Sequence, residues 1–316
     1  MHFSEFWNDI GELTVTGLSQ GSIYALFALG YTLVYGLLRL INFAHSEVFM
    51  VGSFAAVGTW KALGLDQNSQ TPVLPVVLLL LVAALLVAAL ASGATALLVE
   101  LVAYRPLRHR NAPPLAFLIT AIGASVVLSE FVGILTHRRP QGVPPLVEPR
   151  PLVTIAGTQI TNLQVGTIAL ALVAMFGLDV FIHRSRWGRG IRSVSQDPTT
   201  AALMGVNRSQ VISLVFLLGG LMAGVAAVMY DLKIGGTRYD AGFALGVKAF
   251  TAAVLGGIGN LRGALLGGLC LGLAENYGAG VFGTEWHDVV AFALLVVVLM
   301  FRPTGLLGES LGRARA

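Results

Sequence analysis

The sequence has few charged residues and almost no cysteine. Charged residues make up 11% of the 316 residues, whereas hydrophobic residues make up 55%. The single cysteine, Cys270, excludes an internal disulfide and argues against a metal site built on thiolates. Its apolar, glycine-rich surroundings predict a small packing residue. This composition is typical of a protein whose solvent is largely lipid.

Motifs that carry catalytic chemistry are also missing. The sequence has no HExxH, no GxSxG nucleophile elbow, no carboxylate pair at a spacing useful for catalysis and no GxxxxGK[ST] phosphate loop. We therefore predict that the chain is not an enzyme, holds no metal or cofactor, and depends on another chain for any ATP. The basic residues lie at segment ends rather than on one helix face, which argues against nucleic acid as a partner.

Several apolar runs reach the roughly 20 residues that a helix needs to cross a bilayer. They do not alternate polar and apolar residues as membrane β-barrels do, so we predict helices. Charged residues, Pro and Gly bound nine candidate crossings, the seventh of them short: Leu13–Leu38, Phe43–Leu63, Leu74–Ala103, Leu115–Leu135, Leu163–Ile182, Val211–Leu232, Leu245–Gly259, Ala264–Gly280 and Val289–Phe301. The prediction is an all-α polytopic membrane protein, a single domain over residues 1–316, with about eight or nine transmembrane helices, some broken or re-entrant.

The distribution of Lys and Arg predicts the orientation. With the N-terminus outside, thirteen basic residues fall in inside segments and six in outside segments, while Lys248 lies within a candidate crossing. Because basic residues favour the cytoplasmic side, we expect the N-terminus outside and the C-terminus in the cytoplasm. The outer stretch Thr136–Asn162 contains five prolines and is expected to be an irregular loop.

Polar residues interrupt the apolar stretch LRLINFAHSEVFMVGSF, from Leu38 to Phe54. On a helix, Glu47 would point away from a stripe formed by Asn42, His45, Ser46 and Phe49. Asn42 also suits a helix N-cap, so one helix could end near Arg39 and another begin here. Asn42, His45 and Glu47 would then line a passage at a broken helix or form a polar turn at the inner interface.

Two further charges lie in apolar segments. Lys248 faces either a partner such as Glu275, a cavity, or the headgroups to which its long side chain can extend. The same C-terminal region has glycines at every fourth position, where helix backbones can approach closely. We predict helix packing at Gly259, Gly263, Gly267, Gly268 and Gly272.

The inner loop from Arg184 to Gln210 contains the pattern of a short helix. Asp197 suits the N-cap, Pro198 the first helical position, and Gly205 the residue after the helix end. A short capped helix among arginines is typical of an element held by another protein. The alternative is a loop that is basic only because of its topology.

Three stretches resemble the LivH-type permeases, the membrane subunits of branched-chain amino acid ABC importers. They are GLSQGSIYALFALGYTLVYG (Gly17–Gly36), INFAHSEVFMVGSF (Ile41–Phe54) and GVKAFTAAVLGGIGNLRGALLGGLCLGLAE (Gly246–Glu275). The resemblance extends from about Gly17 to Phe301. One departure is Ser46, where the family usually has glycine after the histidine.

The resemblance implies import of hydrophobic amino acids by alternating access in a bacterial inner membrane. It implies a LivM-like second permease, two cytoplasmic ATPase subunits that hold ATP and Mg²⁺, and an extracytoplasmic binding protein. The segment SQDPTTAALMGVN is similar to the family's ATPase-contacting loop, which assigns coupling to Gln196, Asp197, Pro198, Ala201, Ala202 and Gly205. The family also includes urea and short-amide importers. A self-sufficient channel or secondary transporter is the alternative that the residues alone leave open.

Overall fold

Helices account for most of the chain. The computed structural model describes residues 3–67, 69, 73–155, 157–302 and 304–308, with side chains from residue 9 onward. Its α-helices are α1 (Phe3–Leu38), α2 (His45–Ala62), α3 (Leu74–Val99), α4 (Arg105–His109), α5 (Pro114–Leu135), α6 (Asn162–Arg184), α7 (Arg186–Gln196), α8 (Pro198–Leu203), α9 (Arg208–Ile234), α10 (Ala241–Gly256), α11 (Leu261–Phe282) and α12 (His287–Phe301). The predicted all-α fold class is confirmed.

The helices begin where the sequence supplies caps. Thr161 and Gln164 form a capping box ahead of α6, each side chain accepting the other's backbone N–H. Asn207 and Asn260 accept first-turn N–H groups of α9 and α11. Because a helix start leaves its first N–H groups without partners, these side chains determine where the helices begin.

A widened, π-helical turn at Glu100–Tyr104 joins α3 to α4. Pro106 lies in the first turn of α4. Proline has no N–H to donate, and its ring clashes with the carbonyl four residues earlier, so a regular α-helix does not pass through it undisturbed. The turn before Pro106 widens, and both Glu100 and Tyr104 are fully buried.

The loop between α5 and α6 is not irregular, so that prediction was wrong. It carries β1 (Gln141–Gly142) and an antiparallel hairpin of β2 (Pro151–Ile155) and β3 (Thr158–Thr161). β1 pairs with β4 (Gly236–Thr237), which follows α9. Proline is tolerated at the first residue of a strand, the position of Pro151 in β2, so the prolines here do not exclude a hairpin.

The connections between the long helices gather at two ends of the molecule. At the loop end, Lys61 donates a hydrogen bond to Gln141, and β1 pairs with β4. At the arginine end, Arg262 pairs with Asp179 at 3.2 Å. Most of the predicted inner arginines lie in connections at the arginine end, whereas Arg313 and Arg315 lie outside the described residues.

The centre of the protein is α1, around which α9, α10 and α11 pack. Within the span Asp9–Leu38, 83% of the most apolar window is buried, compared with 6% for the span that contains α12. Long apolar side chains on α3, α5, α6 and α12 face outward. Such faces fit lipid or another membrane subunit, as expected of a multi-pass membrane protein.

Each of the nine predicted segments contains a helix. Seven helical spans are long and apolar enough to cross a membrane by length and composition, among the residues searched. The other two helices are α2 and α10. The seventh segment, predicted over Leu245–Gly259, is α10 over Ala241–Gly256, about 24 Å long at 1.5 Å per residue. Cys270 is exposed on α11, so its prediction as an internal packing residue was wrong.

Candidate functional site

A break separates α1 from α2. Helix α1 ends at Leu38, and Arg39 takes a left-handed conformation with φ of +54°. The Asn42 side chain accepts the N–H of Ala44 at 3.1 Å, which closes a turn directly before α2. The predicted restart of the helix at Asn42 therefore takes the form of an Asn-closed turn, and α2 itself begins three residues later.

The polar residues of this break are buried within the protein. Asn42, His45, Ser46 and Glu47 all have at most 3% of their surface exposed. The Asn42 carboxamide also accepts a hydrogen bond from the hydroxyl of Tyr104 at 3.0 Å. Because buried polar backbone and side chains need partners, the π-helical turn that carries Tyr104 helps to hold the break.

His45 and Glu47 point to different neighbours, as the helical spacing predicts. The His45 ring packs on Phe27 and Tyr31 of α1, with ring centroids 5.3 and 4.8 Å apart. Glu47 instead accepts a hydrogen bond from Ser125 of α5 at 3.2 Å. The two side chains do not form an acid–base pair.

Lys248 and Glu275 lie together, with Nζ and Oε1 3.2 Å apart. Lys248 also pairs with Asp288 at 2.7 Å, and Tyr24 donates to the other oxygen of Glu275 at 2.7 Å. Of the three interpretations of Lys248, the structure therefore has the one with an acidic partner. The cluster joins α10, α11 and α12 to the central helix.

An aromatic stripe on α1 connects this ion cluster to the break. Tyr24 contacts Glu275, Phe27 contacts His45, and Tyr31 contacts both His45 and Phe250 of α10. The spacing of three and four residues places all three rings on one helix face. Beside the stripe is a narrow crevice lined by Tyr31, Tyr35, Leu40, Ile41, Asn42, Phe250, Ala253 and Ile258.

The inner loop has the predicted capped helix. The Asp197 carboxylate accepts the N–H groups of Thr199 at 2.9 Å and Thr200 at 3.1 Å, and the Thr200 hydroxyl also donates to it. The Thr200 hydroxyl, followed by the backbone N–H groups, holds the pKa of Asp197 below its ordinary value of 3.8. Pro198 begins α8, and Gly205 follows it with φ of +84°.

The surface of this capped segment (residues 196–205) is unusual for a loop. Leu203 and Met204 are 83% and 80% exposed at the end of α8, although both are large and apolar, and Ala202 is exposed beside them. Ala201 is buried and packs α8 onto the rest of the loop. Exposed apolar side chains of this size in an otherwise basic loop are typical of a contact surface.

A cavity of about 230 Å³ lies between the capped segment and the end of α1. Arg39 and Arg208 line it, together with Ser195 and Gln196. The capped segment therefore lies across this cavity from the break between α1 and α2, and Arg39 is the residue of the break that lines the cavity.

Four of the five predicted packing glycines lie on α11 at close backbone contacts. A Cβ on Gly272 would lie 2.3 Å from the backbone nitrogen of Gly21, and one on Gly268 would lie 2.6 Å from that of Ala25, both on α1. Gly263 and Gly267 approach α10 in the same way, where a Cβ would meet the carbonyl oxygens of Gly256 and Ala252.

Gly259 differs from the other predicted packing glycines. It lies in the turn between α10 and α11 with φ of +99°, so its requirement for glycine comes from backbone conformation and not from a helix face.

Two buried acids escaped the sequence reasoning. Glu100 accepts a hydrogen bond from Ser213 at 2.9 Å and pairs with Arg105 and Arg108. Asp231 accepts one from Ser53 at 2.6 Å. A signal for Glu100 existed, since a carboxylate in the apolar run LLVELVAY with two arginines within eight residues needs a partner. Asp231 has no comparable local signal.

In the part of the chain that the structure describes, no group of three or more His, Cys, Asp or Glu residues could hold a metal ion.

Comparisons with known proteins agree with one another. A sequence model of the family described as "Branched-chain amino acid transport system / permease component" matches residues 13–299. The chain is 44% identical over 302 residues to the high-affinity branched-chain amino acid transport system permease protein BraD of Pseudomonas aeruginosa, which covers 93% of this chain and 94% of that protein. It is 40% identical over 299 residues to LivH of Escherichia coli K12, with the same coverage.

Among solved structures, a chain of PsaBC from Streptococcus pneumoniae in complex with Fab has a similar fold. Its TM-score is 0.50 at 12% identity, over 96% of this chain and 97% of that one. At this identity the similarity concerns the fold alone.

Proposed function

The chain belongs to the family of branched-chain amino acid transport system permease components, and we propose on that ground that it carries branched-chain amino acids into the cell as a membrane subunit of an ABC importer. The observation that carries the proposal is the family match over residues 13–299. The fold supports it, because a broken helix with buried polar groups is the kind of element that borders a solute passage.

The passage runs along the crevice beside the aromatic stripe in this proposal. Asn42, His45 and Glu47 contribute the polar groups of the break, and the Lys248–Glu275 pair connects the neighbouring helices α10 and α11. Alternating access would require α10 to move against α1 and α2. The short length of α10 and its small side chains along these contacts favour that movement.

The capped segment is the proposed contact with an ATPase. Leu203 and Met204 would insert into a groove of the ATPase subunit, while the surrounding arginines face its surface. ATP and Mg²⁺ would be bound by two such subunits and not by this chain. A LivM-like second permease and an extracytoplasmic binding protein complete the proposed complex, in a bacterial inner membrane with the arginine end in the cytoplasm.

The test is uptake by a reconstituted complex. Proteoliposomes that contain this chain, the second permease and the ATPase subunits, with binding protein added outside, should accumulate radiolabelled leucine only with ATP inside. Omission of this chain should abolish uptake. Accumulation of urea or acetamide without leucine would contradict the proposed substrate, and leucine uptake without ATPase subunits would contradict the importer class.

A further inference from the structure

Glu47 is a buried carboxylate with one oxygen unused. Its Oε1 accepts hydrogen bonds from Ser125 at 3.2 Å and Ser46 at 3.4 Å. Its Oε2 has no hydrogen-bond partner among the described residues, although only 2% of the Glu47 surface is exposed. A buried carboxylate oxygen without a hydrogen-bond partner lowers the stability of the fold. We therefore expect a ligand or a proton to bind to it.

The unused oxygen lies against the N-terminus of α10. A Cβ built on Gly242 would lie 2.9 Å from Oε2, and one on Gly246, a helical turn further, would lie 2.5 Å from the Ser46 side chain. The two glycines leave this face of α10 without side chains, so its backbone meets the start of α2 directly.

The N-terminus of α10 also has free hydrogen-bonding capacity. The first N–H groups of a helix have no partner within it, and they carry partial positive charge. Asp240 occupies the N-cap position but makes no side-chain capping bond, and its carboxylate pairs with Arg238 at 2.8 Å. The Ala241 N–H donates to the Arg238 carbonyl at 3.1 Å, and the N–H groups that follow it in the first turn of α10 are open to an anionic group.

No basic residue balances Glu47. Within the described chain, no Lys, Arg or His forms an ion pair with it, and the N-cap residue of the facing helix α10 is Asp240, another acid. The hydroxyl groups of Ser46, Ser125 and Tyr31 surround the same spot. This combination of an uncompensated carboxylate and hydroxyl oxygens suits an ammonium group, which donates three hydrogen bonds.

We propose that Glu47 and the first turn of α10 bind the two charged groups of the amino acid substrate, the ammonium group on Glu47 and the carboxylate on the free N–H groups of α10. The inference rests on the proposed function and adds to it the site that recognises the amino acid backbone. In the closed arrangement described here, Glu47 itself faces the α10 N-terminus. The substrate would separate the two elements and satisfy both.

The proposal explains why a path for apolar side chains contains a buried acid. The Tyr31 hydroxyl lies 3.2 Å from where a Cβ on Gly246 would be, and the Tyr31 ring packs against Phe250 of α10, so these rings offer apolar surface to an aliphatic side chain. Glu47 and the first turn of α10 would bind the ammonium and carboxylate groups that every α-amino acid has. The aromatic surface would select for an apolar side chain.

The test separates the two halves of the substrate. Binding of tritiated leucine to the purified complex of both permeases and the ATPase subunits is measured in detergent without binding protein. Two competitors are used: 3-methylbutylamine, which is leucine without its carboxylate, and 4-methylpentanoate, which is leucine without its amine. In the wild-type complex both should compete.

In Glu47→Gln, leucine binding should weaken about tenfold or more, since a charge-assisted hydrogen bond is lost. The amine should no longer compete, while the acid should compete as in wild type. Glu130→Gln is the matched control, because Glu130 is an acid on α5 that pairs with Arg138 near the surface; it should change neither competitor.

Equal losses for the amine and the acid, or unchanged binding in Glu47→Gln, would overturn the proposed site. So would a wild-type complex that transports leucine but binds neither leucine nor the amine. A wild-type complex that fails to transport leucine in proteoliposomes would instead contradict the proposed function.

Discussion

The lysine in α10 shows how one charge is kept among apolar helices. Lys248 is held by Glu275 and Asp288, and Tyr24 satisfies the second oxygen of Glu275. The Lys248 side chain is 16% exposed and the Glu275 side chain 1%. Because removal of one partner leaves the other charge uncompensated, single changes here should be more damaging than removal of the pair.

We expect Lys248→Met and Glu275→Gln each to lower the thermal stability of the complex and its leucine uptake. The double variant should lose less than the sum, with a coupling of about 0.5–3 kcal/mol, because the two groups are in direct contact. Apparent melting temperatures of the four complexes test this. Asp179→Asn at the arginine end, which breaks a more exposed pair with Arg262, is the control and should not couple to Lys248→Met. Additive losses of stability would contradict an energetic coupling between Lys248 and Glu275.

At the residue scale, the sequence shows which charged residues require a partner, but it does not show which residues the partners are. Lys248 and Glu275 stand out because each is a charge in an apolar helix, and their pairing follows from α10 and α11 being antiparallel neighbours. Asp288 could not be identified in this way, since it lies at the start of α12, where an acid is ordinary. Glu47 stands out in the sequence as an acid in an apolar stretch, but its proximity to Gly242 depends on how α2 packs against α10.

Small residues set the distance between α1 and α11. Gly17 and Gly21 on α1 face Gly268 and Gly272 on α11, and the backbones touch with no side chain between them. In a lipid environment, where apolar burial does not drive helices together, such close packing is a main source of association.

Gly272→Ala should therefore destabilise the protein by about 1–3 kcal/mol, because the new methyl group would overlap the α1 backbone. Gly177→Ala is the matched control. Gly177 is helical too, but a Cβ there would meet nothing within 4 Å. It should be neutral or slightly stabilising, since alanine favours a helix over glycine. The apparent melting temperature of the detergent-solubilised protein distinguishes the two, and equal effects would contradict the packing role.

The capped helix α8 should matter for coupling and not for membrane insertion. A helix of six residues is marginal alone in water, so its shape depends on the Asp197 cap and on a docking partner. Ala202→Pro removes a helical N–H and introduces a clash worth about 3 kcal/mol or more. We expect this variant to abolish stimulation of the ATPase by loaded binding protein, with normal amounts of protein in the membrane.

Asp197→Ala should weaken the same stimulation, while Asp197→Asn should retain it, because asparagine also accepts the N–H groups of Thr199 and Thr200. ATPase rates with and without loaded binding protein are the measurement. Normal stimulation in Ala202→Pro would exclude this segment as the coupling element.

At the element scale, the start of α8 was predicted correctly, whereas the predicted crossings place the starts of α9 and α11 three residues late, at Val211 and Ala264. Asp197, Asn207 and Asn260 cap helices through bonds to residues two or three positions ahead, so the information is local. The hairpin of β2 and β3 was not predicted, because its strands are only five and four residues long and lie in or next to a proline-rich stretch. The bounds of α10 were misplaced because its start depends on β4 and α2, which are distant in sequence.

Among the seven candidate spans of the described residues, α1 is the most buried and lies at the centre of the molecule, while α12 is the most exposed and lies at the edge. A single sequence cannot order the helices from centre to edge, since α1 and α12 are both apolar. The family match supplied the class of complex, and the structure supplied the position of each helix.

The membrane topology can be tested by labelling single cysteines in a Cys270→Ser background. Thr154→Cys on β2 and Thr284→Cys before α12 should be labelled from outside, and Thr199→Cys on α8 only after the membrane is permeabilised. The positive-inside rule and the alternation of the helices give this expectation. Labelling of Thr284→Cys from the inside would show that α10 enters and leaves on one side, so that only eight helices cross.

The π-helical turn at Glu100–Tyr104 gives α3 and α4 a property that a straight helix lacks. The turn contains one residue more than a turn of α-helix, and the position of this extra residue can move along a helix from one turn to the next. Each step would rotate the segment it passes by about 100° and shift it by about 1.5 Å. Tyr104 lies in this turn and donates a hydrogen bond to Asn42, while Glu100 lies there and pairs with two arginines of the arginine end. Migration of the bulge would thus convert a displacement at the arginine end into a rotation of the helix segment that contacts the break between α1 and α2.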